Sequence, residues 1–157
     1  MKILVTGATG FIGKNLVDAL LEKKHEVFCI VRKTSKVARL EEKKIPLAVA
    51  DLLDSNEIER VFSKIRPEVV FHCAAAVMEK DEDQLHNVNV MGTRNVCQTS
   101  YRNQVKRLVY LSSIAVINGI REFRLRMILR IKRAVHMAGP RLLLKRLLWI
   151  SGAKGFM

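Results

Sequence analysis

The chain has 157 residues, 49% of them hydrophobic, and a formal net charge of +13 from 28 Lys/Arg against 15 Asp/Glu. That length and apolar content suit one ordinary domain with a packed core and exclude a disordered chain, and the lack of any run of about 18 apolar residues excludes a membrane-spanning helix. The charge is uneven: residues 121–157 hold 10 Lys/Arg against Glu122 alone, so the basicity belongs to the tail and does not make the whole molecule a nucleic-acid binder.

In chain order, residues 3–5 (I-L-V) are a short apolar run of the kind that forms a buried parallel strand. Gly7, Gly10 and Gly13 follow, and residues 14–24 read as a helix. A glycine-rich turn between a buried strand and a helix is a phosphate site, because bare backbone can approach the ligand and the helix N-terminus presents free N–H groups and a partial positive charge. In such a turn Gly7 allows the tight bend, Gly10 the close approach of a pyrophosphate, and Gly13 close packing of helix on strand. The loop as a whole (Gly7, Thr9, Gly10, Phe11, Ile12 and Gly13) is assigned to cofactor binding.

Residues 26–31 (E-V-F-C-I-V) form a second buried strand, followed by a basic loop and a short helical stretch near 37–44. Residues 47–50 make a third strand ending at Asp51, and Asp54-Ser55 caps a helix over 56–65. Residues 69–73 form a fourth strand, a helix runs over about 85–102, and residues 105–111 form a fifth strand ending in Ser112-Ser113. Strands alternating with helices at this spacing imply right-handed βαβ units. The expected fold is α/β: a Rossmann-type doubly wound parallel sheet of about five strands, incomplete, with ligands at the carboxyl ends of the strands.

Those strand ends carry the candidate site. The second strand ends Val31-Arg32-Lys33, with no carboxylate until Glu41. An acidic residue there would bond the ribose 2′-hydroxyl of NAD, whereas Arg32, helped by Lys33 or Ser35, can pair with the 2′-phosphate of NADP. NADP is therefore favoured over NAD, the alternative being a solvated basic loop. Asp51-Leu52 closes the third strand, where the carboxylate either accepts from an adenine amino group or caps the following turn. Ala74, Ala75 and Ala76 are small residues where backbone passes close to a dinucleotide. His72, alone within a strand, is read as a satisfied core residue. The three cysteines (Cys29, Cys73, Cys97) are widely spaced without C-x-x-C, read as free thiols of a cytoplasmic protein, and no metal site is assigned.

The motifs TGATGFIG (residues 6–13), Asp51-Leu52, FHCAA (71–75), NVNVMGTRNV (87–96) and YLSS (110–113), in this order, resemble the extended short-chain dehydrogenase/reductases, the NAD(P)-dependent epimerase, dehydratase and reductase family. The resemblance covers residues 1 to about 119. It implies that Asn89 anchors the middle of the sheet within the cofactor site and that Ser113 hydrogen-bonds the reacting oxygen as a catalytic residue. It also implies a small-molecule substrate such as a nucleotide sugar, no specific nucleic acid, and a homodimer in the intact fold. Read from the residues alone, Asn89 could be a polar helix residue and Ser113 a strand-end cap.

The family's proton-transfer pair is a Y-x-x-x-K motif about two dozen residues after that serine; its tyrosine exchanges a proton with the substrate while nicotinamide exchanges hydride. Neither residue is here: the tyrosines are Tyr101 and Tyr110, both upstream of Ser113. From Arg121 the composition changes to basic, leucine-rich sequence, so residues 120–157 are set apart as a helical or disordered basic tail outside the family pattern. Read literally, the tail could lie on an anionic membrane or nucleic acid. Its Arg124, Arg126, Arg130 and Arg133 do not separate from Leu125, Ile128, Leu129 and Ile131 into a clean stripe, which weakens that reading.

The genetic code offers another account. Val135-His136-Met137-Ala138 is encoded GUN-CAY-AUG-GCN; read from the last base of the valine codon it becomes NCA, YAU, GGC, which permits Tyr and forces Gly. Continuing through Gly139-Pro140-Arg141 permits Arg, Ser and Lys, giving P-Y-G-R-S-K at the family's spacing. An insertion or deletion between about Asn118 and Arg133, in the gene or in its sequencing, would produce this tail. On this reading the chain is a truncated, inactive fragment that stops short of a sixth strand and a substrate-binding lobe.

Overall fold

A parallel strand buried on both faces must offer apolar side chains in both directions, and the first strand does so with four consecutive buried residues from Ile3 to Thr6. The computed structural model describes residues 1–77 and 81–112. Within them lie five strands, β1 (Lys2–Thr6), β2 (Glu26–Val31), β3 (Leu47–Val49), β4 (Val69–His72) and β5 (Arg107–Tyr110). Five α-helices accompany them: α1 (Phe11–Glu22), α2 (Ala38–Glu42), α3 (Ser55–Ile65), α4 (Glu82–His86) and α5 (Thr93–Arg102). All neighbouring strands pair in parallel in the order β3-β2-β1-β4-β5. The order reverses between β1 and β4, which opens a crevice at their carboxyl ends.

Each face of the sheet has its own core. Ile3, Val5, Val27 and Cys29 pack with Val17 and Leu20 of α1 on one face. Leu4, Ile30 and Val70 pack with Ile58 and Phe62 of α3 and Val96 of α5 on the other. The helices bury one stripe each: Gly13, Val17 and Leu20 in α1, and Ile58, Phe62 and Ile65 in α3, both at helical spacing. Phe62 is fully buried; truncating it to alanine would cost about 3–5 kcal/mol.

The sheet and helix order agree with the expected architecture; several element ends shift by one or two residues, and two differences are larger. The first helix begins at Phe11, three residues earlier than the predicted start, because Gly10 itself is its N-cap and the glycine loop feeds straight into the first turn. The predicted single helix over 85–102 is interrupted by a π-helical turn, Asn87–Gly92, between α4 and α5. Periodicity cannot reveal such a turn, since the hydrogen bonds that accompany it run to Ala76, 13 residues away. The tail from 120 onward, the boundary near 119 and Ser113 lie outside the described residues.

Candidate functional site

The carboxyl ends of the strands surround a cleft of about 560 Å³. Its walls are the ends of β1 and β2 and the loops that follow β1, β2, β3 and β4, joined by Gln84 of α4 and Val88 of the π-helical turn. Of the residues assigned from sequence, Gly7, Thr9, Gly10, Arg32, Asp51, Leu52, Ala74, Ala75 and Ala76 line it together. Phe11, Ile12, Gly13 and Asn89 do not: Phe11 and Ile12 are 79% and 54% exposed, and Gly13 is buried behind the loop.

The loop after β1 is held by steric necessity. Gly7 has φ +71°, and a β-carbon there would fall 2.5 Å from the Ala74 backbone nitrogen. A β-carbon on Gly13 would fall 2.1 Å from the Gly7 carbonyl oxygen, which lets α1 seat directly on its own loop. Gly10 differs, because its only close neighbour would be the Gly7 carbonyl at 3.3 Å and the rest is open space.

The N-terminus of α1 has no side-chain cap and no acidic residue in its first turn. Two other helices are capped: Asp54 accepts from the N–H groups of Asn56 and Glu57 at the start of α3, and Asp81 from Asp83 and Gln84 at the start of α4, whereas α2 also lacks a side-chain cap but does not line the cleft. An uncapped helix leaves several N–H groups without intrahelical partners. Beside the cleft, those groups and the helix dipole make an anion site.

Arg32 is exposed at the cleft wall and ion-pairs with no described residue, whereas Arg39 and Lys43 are both engaged by Asp18. The backbone N–H of Arg32 donates to Ser35 Oγ at 3.0 Å, and the Ser35 N–H donates back to the Arg32 carbonyl. This turn places a guanidinium and a hydroxyl at the same wall. On the neighbouring loop after β3, Asp51 Oδ1 accepts from the Leu53 N–H at 2.9 Å, so this carboxylate does cap its turn while also lining the cleft.

His72 is 1% exposed, and its two ring nitrogens meet Thr6 Oγ1 at 2.6 Å (Nδ1) and Thr93 Oγ1 at 2.9 Å (Nε2). The Ala74 N–H donates to the same Thr6 hydroxyl at 3.4 Å, which extends the network to the cleft floor. Burial lowers the imidazole pKa to about 4, so it stays neutral near pH 7. The ring stacks on Tyr110 at 5.6 Å. It is a satisfied core histidine, as the lone-strand reading expects. The cysteines are free thiols; burial pushes Cys29 and Cys97 up to about 12.

Two asparagines from the interrupted helix hold cleft walls from behind. Asn89, in the π-helical turn, accepts from the Ala76 N–H at 2.8 Å and donates to the Ala76 carbonyl at 2.9 Å. Asn95, in α5, donates to the carbonyls of Leu52 at 2.9 Å and Leu53 at 3.3 Å. Sequence reasoning missed Thr6, Thr93 and Asn95 as site-building residues. For Thr6 a signal existed, since a hydroxyl within an apolar buried strand must find a partner.

A model of the family described as "NAD dependent epimerase/dehydratase family" matches residues 3–123. Sterol demethylase protein B of Methylococcus capsulatus is 40% identical over 119 residues, which cover 74% of this chain and 36% of that protein. UDP-glucose 4-epimerase of Mycolicibacterium smegmatis is 33% identical over 128 residues, covering 76% of this chain and 41% of that one. The crystal structure of Thermus thermophilus UDP-glucose 4-epimerase in complex with NAD superposes with a TM-score of 0.66 at 34% identity, covering 72% of this chain and 38% of that one. The chain thus spans well under half the length of these proteins. Among the described residues, no helix is long and apolar enough to cross a membrane.

Proposed function

Because the chain belongs to the NAD dependent epimerase/dehydratase family, we propose that residues 1–119 are the dinucleotide-binding part of an enzyme that transfers hydride to or from a carbonyl or hydroxyl substrate such as a nucleotide sugar. The uncapped N-terminus of α1 beside the cleft carries this reading. Helices α3 and α4 recruit an aspartate for that position; at α1 a ligand's pyrophosphate would take the place of the cap, with Gly10 leaving room for it.

The chemistry of the cleft residues supports a dinucleotide. Arg32 and the Ser35 hydroxyl would bind a ribose 2′-phosphate, which makes NADP the preferred cofactor. Asp51 would accept from the adenine amino group, and Ala74 to Ala76 would let the backbone lie against the ligand. When bound, the nicotinamide supplies the hydride acceptor or donor. Ser113 would hold the reacting oxygen by a hydrogen bond.

The chain as written lacks the tyrosine and lysine that complete proton transfer in this family. Tyr110 does not supply the pair, because Ile114 and not a lysine stands four residues after it; burial also raises its phenol above the ordinary range. We infer that the pair is encoded in the alternative frame across codons 135–141. Titration of the 157-residue protein with NADPH and NADH tests the binding half: saturable binding with NADPH tighter is expected, and no binding of either overturns it. Resequencing the gene tests the other half; a shifted frame without Tyr and Lys four apart ends the frame account.

A further inference from the structure

Among the described residues, the side-chain hydrogen bonds from α5 to the loop after β3 come from Asn95, and this attachment suggests how the cleft selects its base. Asn95 Nδ2 donates to the Leu52 carbonyl at 2.9 Å and to the Leu53 carbonyl at 3.3 Å. One turn earlier on the same helical face, Gly92 approaches the loop so closely that a β-carbon there would lie 3.3 Å from Leu52 Cβ. The loop is therefore gripped on its outer side, with Leu52 buried and Asp51 lining the cleft.

The inner side of the loop is equally constrained. Asp51 Oδ1 accepts from the Leu53 N–H at 2.9 Å, the Asp54 N–H donates to the Asp51 carbonyl at 3.1 Å, and the Asp51 N–H donates to Glu57 at 2.8 Å. One carboxylate oxygen is thus committed to the turn, and no described residue donates to the other. The direction of that second oxygen depends on the torsions of residues 51–53, which Asn95 pins through two successive carbonyls. Asn95 does not itself line the cleft, so it acts through the loop and not on a ligand.

We propose that Asn95 is a positioning residue for base selection: by clamping the Leu52 and Leu53 carbonyls it aims the Asp51 carboxylate at the exocyclic amino group of an adenine. The proposal rests on the dinucleotide reading of the cleft. A carboxylate that accepts from a 6-amino group repels the 6-oxo group of hypoxanthine, so the device selects adenine nucleotides rather than purines in general. A hydrogen bond to a charged acceptor supports discrimination of about tenfold or more.

The test compares NADPH with its deamino analogue, in which hypoxanthine replaces adenine, by fluorescence titration of the 157-residue protein. The wild type is expected to prefer NADPH by about tenfold. Asn95→Leu removes both donors at similar size; it is expected to lose that preference, with NADPH affinity falling toward that of the analogue. Asn95→Gln keeps the donor and is expected to recover part of the preference. A purely structural asparagine would lower the affinities for both ligands together and leave their ratio intact, and that result overturns the proposal. So does a wild type that binds both ligands equally. If the wild type binds neither, the dinucleotide reading itself has failed. If Asn95→Leu does not fold, Asn95→Ala carries the same comparison.

Discussion

A β-carbon on Gly13, in the first turn of α1, would sit 2.1 Å from the carbonyl oxygen of Gly7, six residues earlier in the preceding loop. The two glycines therefore lock the first turn of α1 onto the loop that follows β1, and the uncapped N–H groups of that turn inherit their position from the contact. Gly10, between them, meets only the Gly7 carbonyl at 3.3 Å.

This contrast separates folding from binding. Gly13→Ala is expected to destabilise the protein by about 3 kcal/mol or more, because backbone must move to admit the methyl group. Gly10→Ala needs the Gly7 carbonyl to give only slightly and should cost less than about 1 kcal/mol. It should nevertheless weaken NADPH binding at least about tenfold, by filling the space assigned to the pyrophosphate. Urea denaturation and NADPH titration of the two variants read both effects; equal stability losses would contradict the geometry.

Arg32→Ala should reduce affinity for NADPH by about ten- to a hundredfold, the worth of a charge-assisted contact to phosphate, and leave NADH binding within about threefold of its starting value. Paired titrations measure the ratio. A variant that loses both cofactors in parallel would show that Arg32 serves the fold or the pyrophosphate instead.

His72 predicts a specific pH dependence. Burial depresses its pKa from 6.5 to about 4 in the folded state, so between those values the unfolded chain binds more protons than the folded one. Stability is then fully present above about pH 6.5 and declines as pH falls toward 4, by something on the order of 3 kcal/mol. Urea midpoints from pH 7 to pH 4.5 should show this slope, and His72→Gln should flatten it. The two threonine contacts make the substitution itself costly near neutral pH.

Lys24, Lys44 and Gln104 each follow a helix in the left-handed conformation, with φ of 57°, 54° and 53°. Each is exposed, and each stands where helices usually place glycine. Replacing them singly with glycine relieves the β-carbon crowding and adds unfolded-state entropy, for a net gain of roughly 0.5–1 kcal/mol apiece. Thermal melts of the three variants should rise, and a fall at any site would mean that the lysine or glutamine side chain makes a compensating contribution.

Much of the fold was legible because burial on both faces leaves a simple record in a parallel sheet. Runs such as E-V-F-C-I-V admit few other readings, and Asp54 announces α3 through its capping chemistry. The glycines were legible because a β-carbon would fall 2.5 Å from the Ala74 nitrogen at Gly7 and 2.1 Å from the Gly7 carbonyl at Gly13. The interruption of the 85–102 helix was not legible, since Asn87–Gly92 has ordinary helical composition and its π-turn is tied to Ala76 by tertiary contacts.

The linear chain by itself determined the order of strands and helices, the glycine loop, and the basic residue closing β2, because each depends on local sterics or on the alternation of buried elements. It also carries the change of composition after residue 120 and the missing tyrosine–lysine pair, which are matters of which residues are written. Only the tertiary structure decided which side chains work together. Thr6, His72 and Thr93 come from three separate segments and meet as one buried network. Asn89 and Asn95 reach back to loops 13 and 43 residues away. Hydrogen bonds between distant segments depend on how helices seat on the sheet, and neither spacing nor propensity along the chain records that seating.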